Sequence, residues 1–139
     1  MPVTSAARAV RRSARIPADH AALLGVRDAL TDALTVCDWT REEAFRVLVC
    51  ADEAFANALS HGSASGSPID IRFTVGGHRA VLLVGDARAR TAPIQTPTTP
   101  PTETSENGRG LLLMHALADV FRVWRRPAGT LVALAFCCG

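Results

Sequence analysis

Leu23, Val26, Leu30, Ala33 and Leu34 recur at helical spacing behind Asp19, a good N-cap residue, and predict an amphipathic helix over 20–36. Thr40 followed by Glu43 has the form of a capping box. It opens a longer helix, roughly 41–60, which Gly62 would end and whose core face is set by Phe45, Leu48, Phe55 and Leu59. The Ser/Gly/Pro-rich stretch 62–68 reads as a loop. The period then changes to two. Ile69, Ile71, Phe73 and Val75 alternate with polar residues as a strand, Gly76-Gly77 signals a hairpin turn, and 79–85 is apolar on both faces, as a central strand is. Residues 87–107 are rich in Pro and Thr without periodicity, which in a compact domain predicts a functional lid or a disordered loop. A helix starts behind glycines at 108–111 and runs to about 118. Two last strands, near 120–126 and 130–136, flank Pro127-Ala128-Gly129.

Strands that come as adjacent pairs, with helices between the pairs rather than between single strands, predict an α/β (α+β) chain. The expected architecture is an open two-layer sandwich whose mixed, mostly antiparallel sheet carries helices on one face. Residues 1–14, with Arg8, Arg11 and Arg12 among Ala and Ser, are expected to form a basic flexible arm ahead of a single domain over 15–139.

Composition narrows the function. A chain of 139 residues with 48% hydrophobic and 20% charged residues can bury a core. A net charge of +2 argues against a direct nucleic-acid binder. No apolar run approaches the ~18 residues of a membrane span, and no secretory signal is present, so a cytoplasmic protein away from membranes is expected. All 15 basic residues are arginine, so no lysine is available for phosphate contacts or Schiff-base chemistry. Cys37, Cys50, Cys137 and Cys138 have no metal-ligand spacing and read as reduced thiols, Cys50 as a small core residue.

Glu53, Asn57 and His61 are spaced four apart on the long helix and form one stripe, flanked by Cys50, Ala54 and Ala58. A carboxylate, an amide oxygen and an imidazole beside small residues leave room for a polar ligand; on spacing alone, a solvated face closed by a capping His is the stronger reading. Asp86 ends the central strand, where it can accept hydrogen bonds from an exocyclic amine or simply form a turn. Asn107-Gly108-Arg109-Gly110-Leu111 places two glycines before an apolar helix, an arrangement that can direct backbone N–H groups at an anion or be only a loop. It matches neither the dinucleotide-binding glycine pattern nor the P-loop. Gly129-Thr130 opens the last strand.

The order of these parts decides where no single part does. It resembles the GHKL superfamily of histidine-kinase-like ATP-binding (Bergerat) domains. Residues 51–62, Ala-Asp-Glu-Ala-Phe-Ala-Asn-Ala-Leu-Ser-His-Gly, look like the N-box of the anti-sigma-factor serine/threonine kinases. Residues 108–119, Gly-Arg-Gly-Leu-Leu-Leu-Met-His-Ala-Leu-Ala-Asp, look like the second glycine box of their small actinobacterial relatives.

The resemblance implies a first strand near Arg15-Ile16-Pro17 and a set of roles. Asn57 would ligate the Mg²⁺ that bridges the ATP phosphates, and Asp86 would bind the adenine amino group. Thr130 would assist at adenine through water. Gly108, Arg109 and Gly110, with a helix start at Leu111, would cradle the phosphates. Glu53 would be the general base. It further implies a kinase and anti-sigma factor with a sigma factor and an anti-anti-sigma protein as partners, and pairing into homodimers. The first glycine box of the family is altered: Asp86-Ala87-Arg88-Ala89-Arg90 has arginine where the family has glycine. A non-catalytic module that senses ATP, or binds a partner without nucleotide, is therefore the alternative.

Overall fold

The computed structural model describes residues 8–86, 106–126 and 129–138. The Pro/Thr segment, with Arg88 and Arg90, lies outside these residues almost entirely, and residues 1–7, Pro127, Ala128 and Gly139 lie outside them. Five strands and three helices follow in the order β1 (Val10–Ile16), α1 (His20–Val36), α2 (Arg41–Ser65), β2 (Ile69–Val75), β3 (Arg79–Asp86), α3 (Glu106–Leu117), β4 (Val120–Arg126) and β5 (Gly129–Cys137).

The strands form one open sheet in the order β1-β2-β3-β5-β4, with every neighbouring pair antiparallel. Strand alternation gives the sheet a covered face and an open one. Ile69, Ile71, Phe73 and Val75 of β2, Ala80, Leu82 and Val84 of β3, and Val132, Leu134 and Phe136 of β5 are buried in one core with the helices. The opposite face carries exposed Arg11, Arg15 and Arg72 beside half-buried Val81, Leu83, Trp124 and Leu131.

Local chemistry sets most boundaries. Asp19 caps α1, its Oδ1 accepting the Ala21 N–H at 2.7 Å. Thr40 makes half of the expected capping box, its Oγ1 accepting the Glu43 N–H at 3.3 Å. The Glu43 carboxylate turns away and accepts from Arg46 at 2.8 Å. Trp39 ties the α1–α2 turn to the β2–β3 hairpin, donating its indole N–H to the Gly76 carbonyl at 2.7 Å.

Four expectations are corrected. The expected arm does not reach residue 14: β1 runs from Val10, pairing Val10 with Val75 and Ile16 with Ile69. Arg12 interrupts the inward alternation of Val10, Ala14 and Ile16 and hides the strand in the sequence. The helix α2 passes through Gly62 to Ser65, because the left-handed residue that ends it is Gly66, at φ 69°. Its buried face is Val47, Cys50, Ala51, Ala54 and Phe55, whereas Phe45 is 67% exposed; Leu48 and Leu59 pack from the flank. Small side chains let the helix axis approach the sheet, and that closeness outweighs the larger apolar area of Phe45. The helix α3 begins at Glu106, not at 108–111.

Candidate functional site

Glu53 lies on the part of α2 that α3 packs against, and Asn57 follows it on the same stripe. Both residues are half-buried and one helical turn apart. Their backbones are held from beneath, since Cys50, Ala51 and Ala54 are sealed against the sheet. His61 is in the same helix, but its side chain lies outside the described residues.

Glu53 and Gly110 lie against each other across the α2–α3 contact. A Cβ built on Gly110 would fall 2.5 Å from Glu53 Oε2, 3.4 Å from its Cδ and 3.7 Å from its Cβ. The carboxylate therefore occupies the space a side chain at position 110 would take. The glycine segment and the stripe on α2, 53 and 110 in sequence, meet in one place. Leu111 and Met114, both buried, hold α3 at that distance.

Because α3 starts at Glu106, Gly108 and Gly110 are helical residues and Leu111 is not the helix start. The N–H groups left without intrahelical partners are those of the first turn, at about 106–108. The positive end of the helix dipole lies there, so an anion is favoured at this end. Arg109 is exposed on the same turn.

Asp86 and Thr130 are brought together by strand register. Gly85 pairs with Leu131 as β3 and β5 run antiparallel, so the next step sets Asp86 beside Thr130. Both positions continue the alternation of the helix-covered face, after Val84 and before Val132. Thr130 is half-buried, and the Asp86 side chain lies outside the described residues. The helix α2, which packs on β3 and β5, links this pair to Glu53 and Asn57.

Two residues of the site region were not singled out in the sequence. Gly85 leaves room for β5: a Cβ there would lie 2.9 Å from the Thr130 carbonyl and from Leu131 Cδ1. An isolated glycine inside a strand pattern was the available signal. Arg46 reaches from α2 to the end of α3, and nothing in its spacing announces that.

Burial pushes the Cys50 thiol up to about 11, with Arg46 pulling against the rise and Glu53 adding to it. The donors present suit a hard cation shared with phosphates. No cluster of three His, Cys, Asp or Glu occurs among the described residues, so a Mg²⁺ here would rest on the Asn57 amide oxygen, nucleotide oxygens and water, its usual manner of binding.

A family model described as a histidine kinase-like ATPase domain matches residues 16–136. Among solved structures, the chain is similar to the crystal structure of the RsbU and RsbW domains of Rv1364c from Mycobacterium tuberculosis. The identity is 18%, over 92% of this chain and 32% of that one, with a TM-score of 0.67. This chain thus spans about a third of that protein's length, and the likeness is one of fold. No curated protein matches.

Proposed function

From the premise that the chain belongs to the histidine kinase-like ATPase family, we propose that this ATP-binding regulatory domain is an anti-sigma factor and serine/threonine-protein kinase acting on an anti-anti-sigma partner. The observation that carries the reading is the seating of the Glu53 carboxylate against the glycine segment of α3, one turn from Asn57. A candidate base, a candidate cation ligand and a helix N-terminus suited to phosphates then converge.

In this reading Asp86 accepts from the adenine amino group and Thr130 supports the same edge through water. The first-turn N–H groups of α3, from about 106 to Gly108, hold phosphate oxygens, with Arg109 exposed beside them. Asn57 holds the Mg²⁺, which neutralises charge on the phosphates when bound. Glu53 takes the proton from a partner's Ser or Thr hydroxyl as that oxygen attacks the γ-phosphorus and the bond to the β–γ bridging oxygen breaks, releasing ADP. Positioning and charge neutralisation supply most of the rate in such transfers. A sigma factor as the second partner implies the cytoplasm. No helix among the described residues is long and apolar enough to cross a membrane. Pairing with a second copy belongs to the same reading.

The test is label transfer from γ-labelled ATP, with Mg²⁺, to a purified anti-anti-sigma protein. Transfer to a Ser or Thr is expected, falling roughly 10²–10⁴-fold in Glu53→Ala, the range for loss of a general base. Transfer that survives this substitution unchanged removes Glu53 from its role.

Arg88 and Arg90, in place of the family's glycines, favour a second reading. Arginine does not let backbone pass as close to a nucleotide as glycine does. The chain would then sequester its partner without phosphoryl transfer. Calorimetry separates the two, and no heat of binding at millimolar Mg·ATP would favour sequestration.

A further inference from the structure

Position 110 has no backbone reason to be glycine. It lies inside α3, its φ is not in the left-handed region, and glycine weakens a helix interior relative to alanine. What the position lacks is space: Glu53 Oε2 lies 2.5 Å from where a Cβ would stand, a separation real carbon and oxygen atoms do not reach. The Glu53 Cδ and Cβ lie at 3.4 and 3.7 Å, so only the carboxylate end collides and the stem does not.

We propose that Gly110 is the positioning residue of the Glu53 carboxylate: the notch left by its missing side chain seats the carboxylate and holds it in one orientation. The proposal rests on the reading of Glu53 as general base and adds what aims it. Packing of both helices opposes widening of the notch. The helix α2 is fixed beneath Glu53 by Cys50 and Ala54, at 0% and 1% exposure, and α3 is fixed beside it by Leu111 and Met114, at 4% and 0%. The one soft coordinate is the outer rotamer of Glu53, so a methyl at 110 evicts the carboxylate and leaves the fold in place.

Gly110→Ala therefore separates geometry from folding. In ¹³C-glutamate-labelled protein, with the Glu53 carboxyl resonance assigned by its absence in Glu53→Gln, Gly110→Ala is expected to shift that resonance. The thermal midpoint should stay level or rise. Phosphotransfer should fall about 10–10²-fold, the scale of a misplaced reacting group, while the Kd for Mg·ATP changes less than about threefold. In a Glu53→Ala background the same substitution should cost nothing further. An unmoved Glu53 resonance overturns the proposal. So does a loss of Mg·ATP affinity equal in both backgrounds, which would assign Gly110 to the phosphates instead. A displaced carboxylate with undiminished transfer upholds the notch and removes Glu53 as the base.

Discussion

The Arg46 guanidinium donates to the Leu117 carbonyl oxygen at 2.9 Å, so a side chain near the start of α2 closes the C-terminal end of α3. The same group bonds Glu43 at 2.8 Å, the Cys137 carbonyl at 2.8 Å and Asp119 at 3.2 Å, and lies 5.5 Å over the Phe136 ring. The helix α3 is thus set against α2 at two places, by Arg46 near its end and by the Glu53–Gly110 contact near its beginning. The first is polar and directional, the second steric.

Removing Arg46 should loosen the α2–α3 pair. Arg46→Ala leaves two carbonyls and two carboxylates without this donor, a loss of roughly 2–4 kcal/mol on the scale of charged hydrogen bonds. Denaturant melts should show a lower midpoint at unchanged slope. Arg46→Lys should recover only part, because a point-like ammonium cannot serve donors spread around a planar fork.

Gly85→Ala should behave in the opposite way to Gly110→Ala. Its Cβ would meet the Thr130 carbonyl at 2.9 Å and Leu131 Cα at 3.2 Å, which are backbone atoms that cannot rotate aside. The strands β3 and β5 must part, costing about 1–3 kcal/mol as overpacking does. Thermal unfolding should drop by several degrees, and Mg·ATP affinity should weaken with it if Thr130 serves adenine.

Asn57→Ala should leave the fold intact, the residue being half-buried on a helix that accepts alanine. Calorimetric titration should show Mg²⁺-dependent ATP affinity reduced by roughly tenfold or more, the equivalent of one charge-assisted contact. Affinity without Mg²⁺ should change little.

Stability should fall at high pH through Cys50. Its thiol is raised from 9.0 to about 11 in the folded chain. Below pH 9 both states hold the proton and the contribution is complete. Between 9 and 11 the unfolded chain ionises first, and roughly 2–3 kcal/mol is lost. With no Tyr and no Lys in the chain, thiols are the main groups to titrate there, and burial raises Cys138 as well, so Cys50→Ala should reduce the slope between melts at pH 8.5 and 10.5. At the acid end, the Cys137 N–H, reinforced by Arg46, holds the Asp119 carboxyl below its usual value of 3.8. Its contribution is present above that value and is lost as pH falls through the folded one, which Asp119→Asn should abolish in the same melts.

Sequence periodicity alone placed α1 at 20–36 behind Asp19, paired 69–75 with 79–85 as a hairpin, and located the last two strands. These features depend on caps, turns and residues within a few positions of each other, where backbone geometry dictates the spacing. The parts of the candidate site could be named from the sequence too, because Glu53, Asn57, Asp86, Gly108, Gly110 and Thr130 stand in a recognisable order. Tertiary structure decided what spacing cannot express. It turned Val47, Cys50, Ala51 and Ala54 inward and left Phe45 in solvent, since a helix with two apolar stripes buries the one that lets it lie closest to the sheet. It recruited 10–16 as an edge strand despite Arg12, because β2 offered unpaired backbone groups. It also set Gly110 against Glu53 and Arg46 against Leu117, contacts between segments 57 and 71 residues apart. Such contacts depend on where whole elements pack, and no local pattern in the chain encodes that.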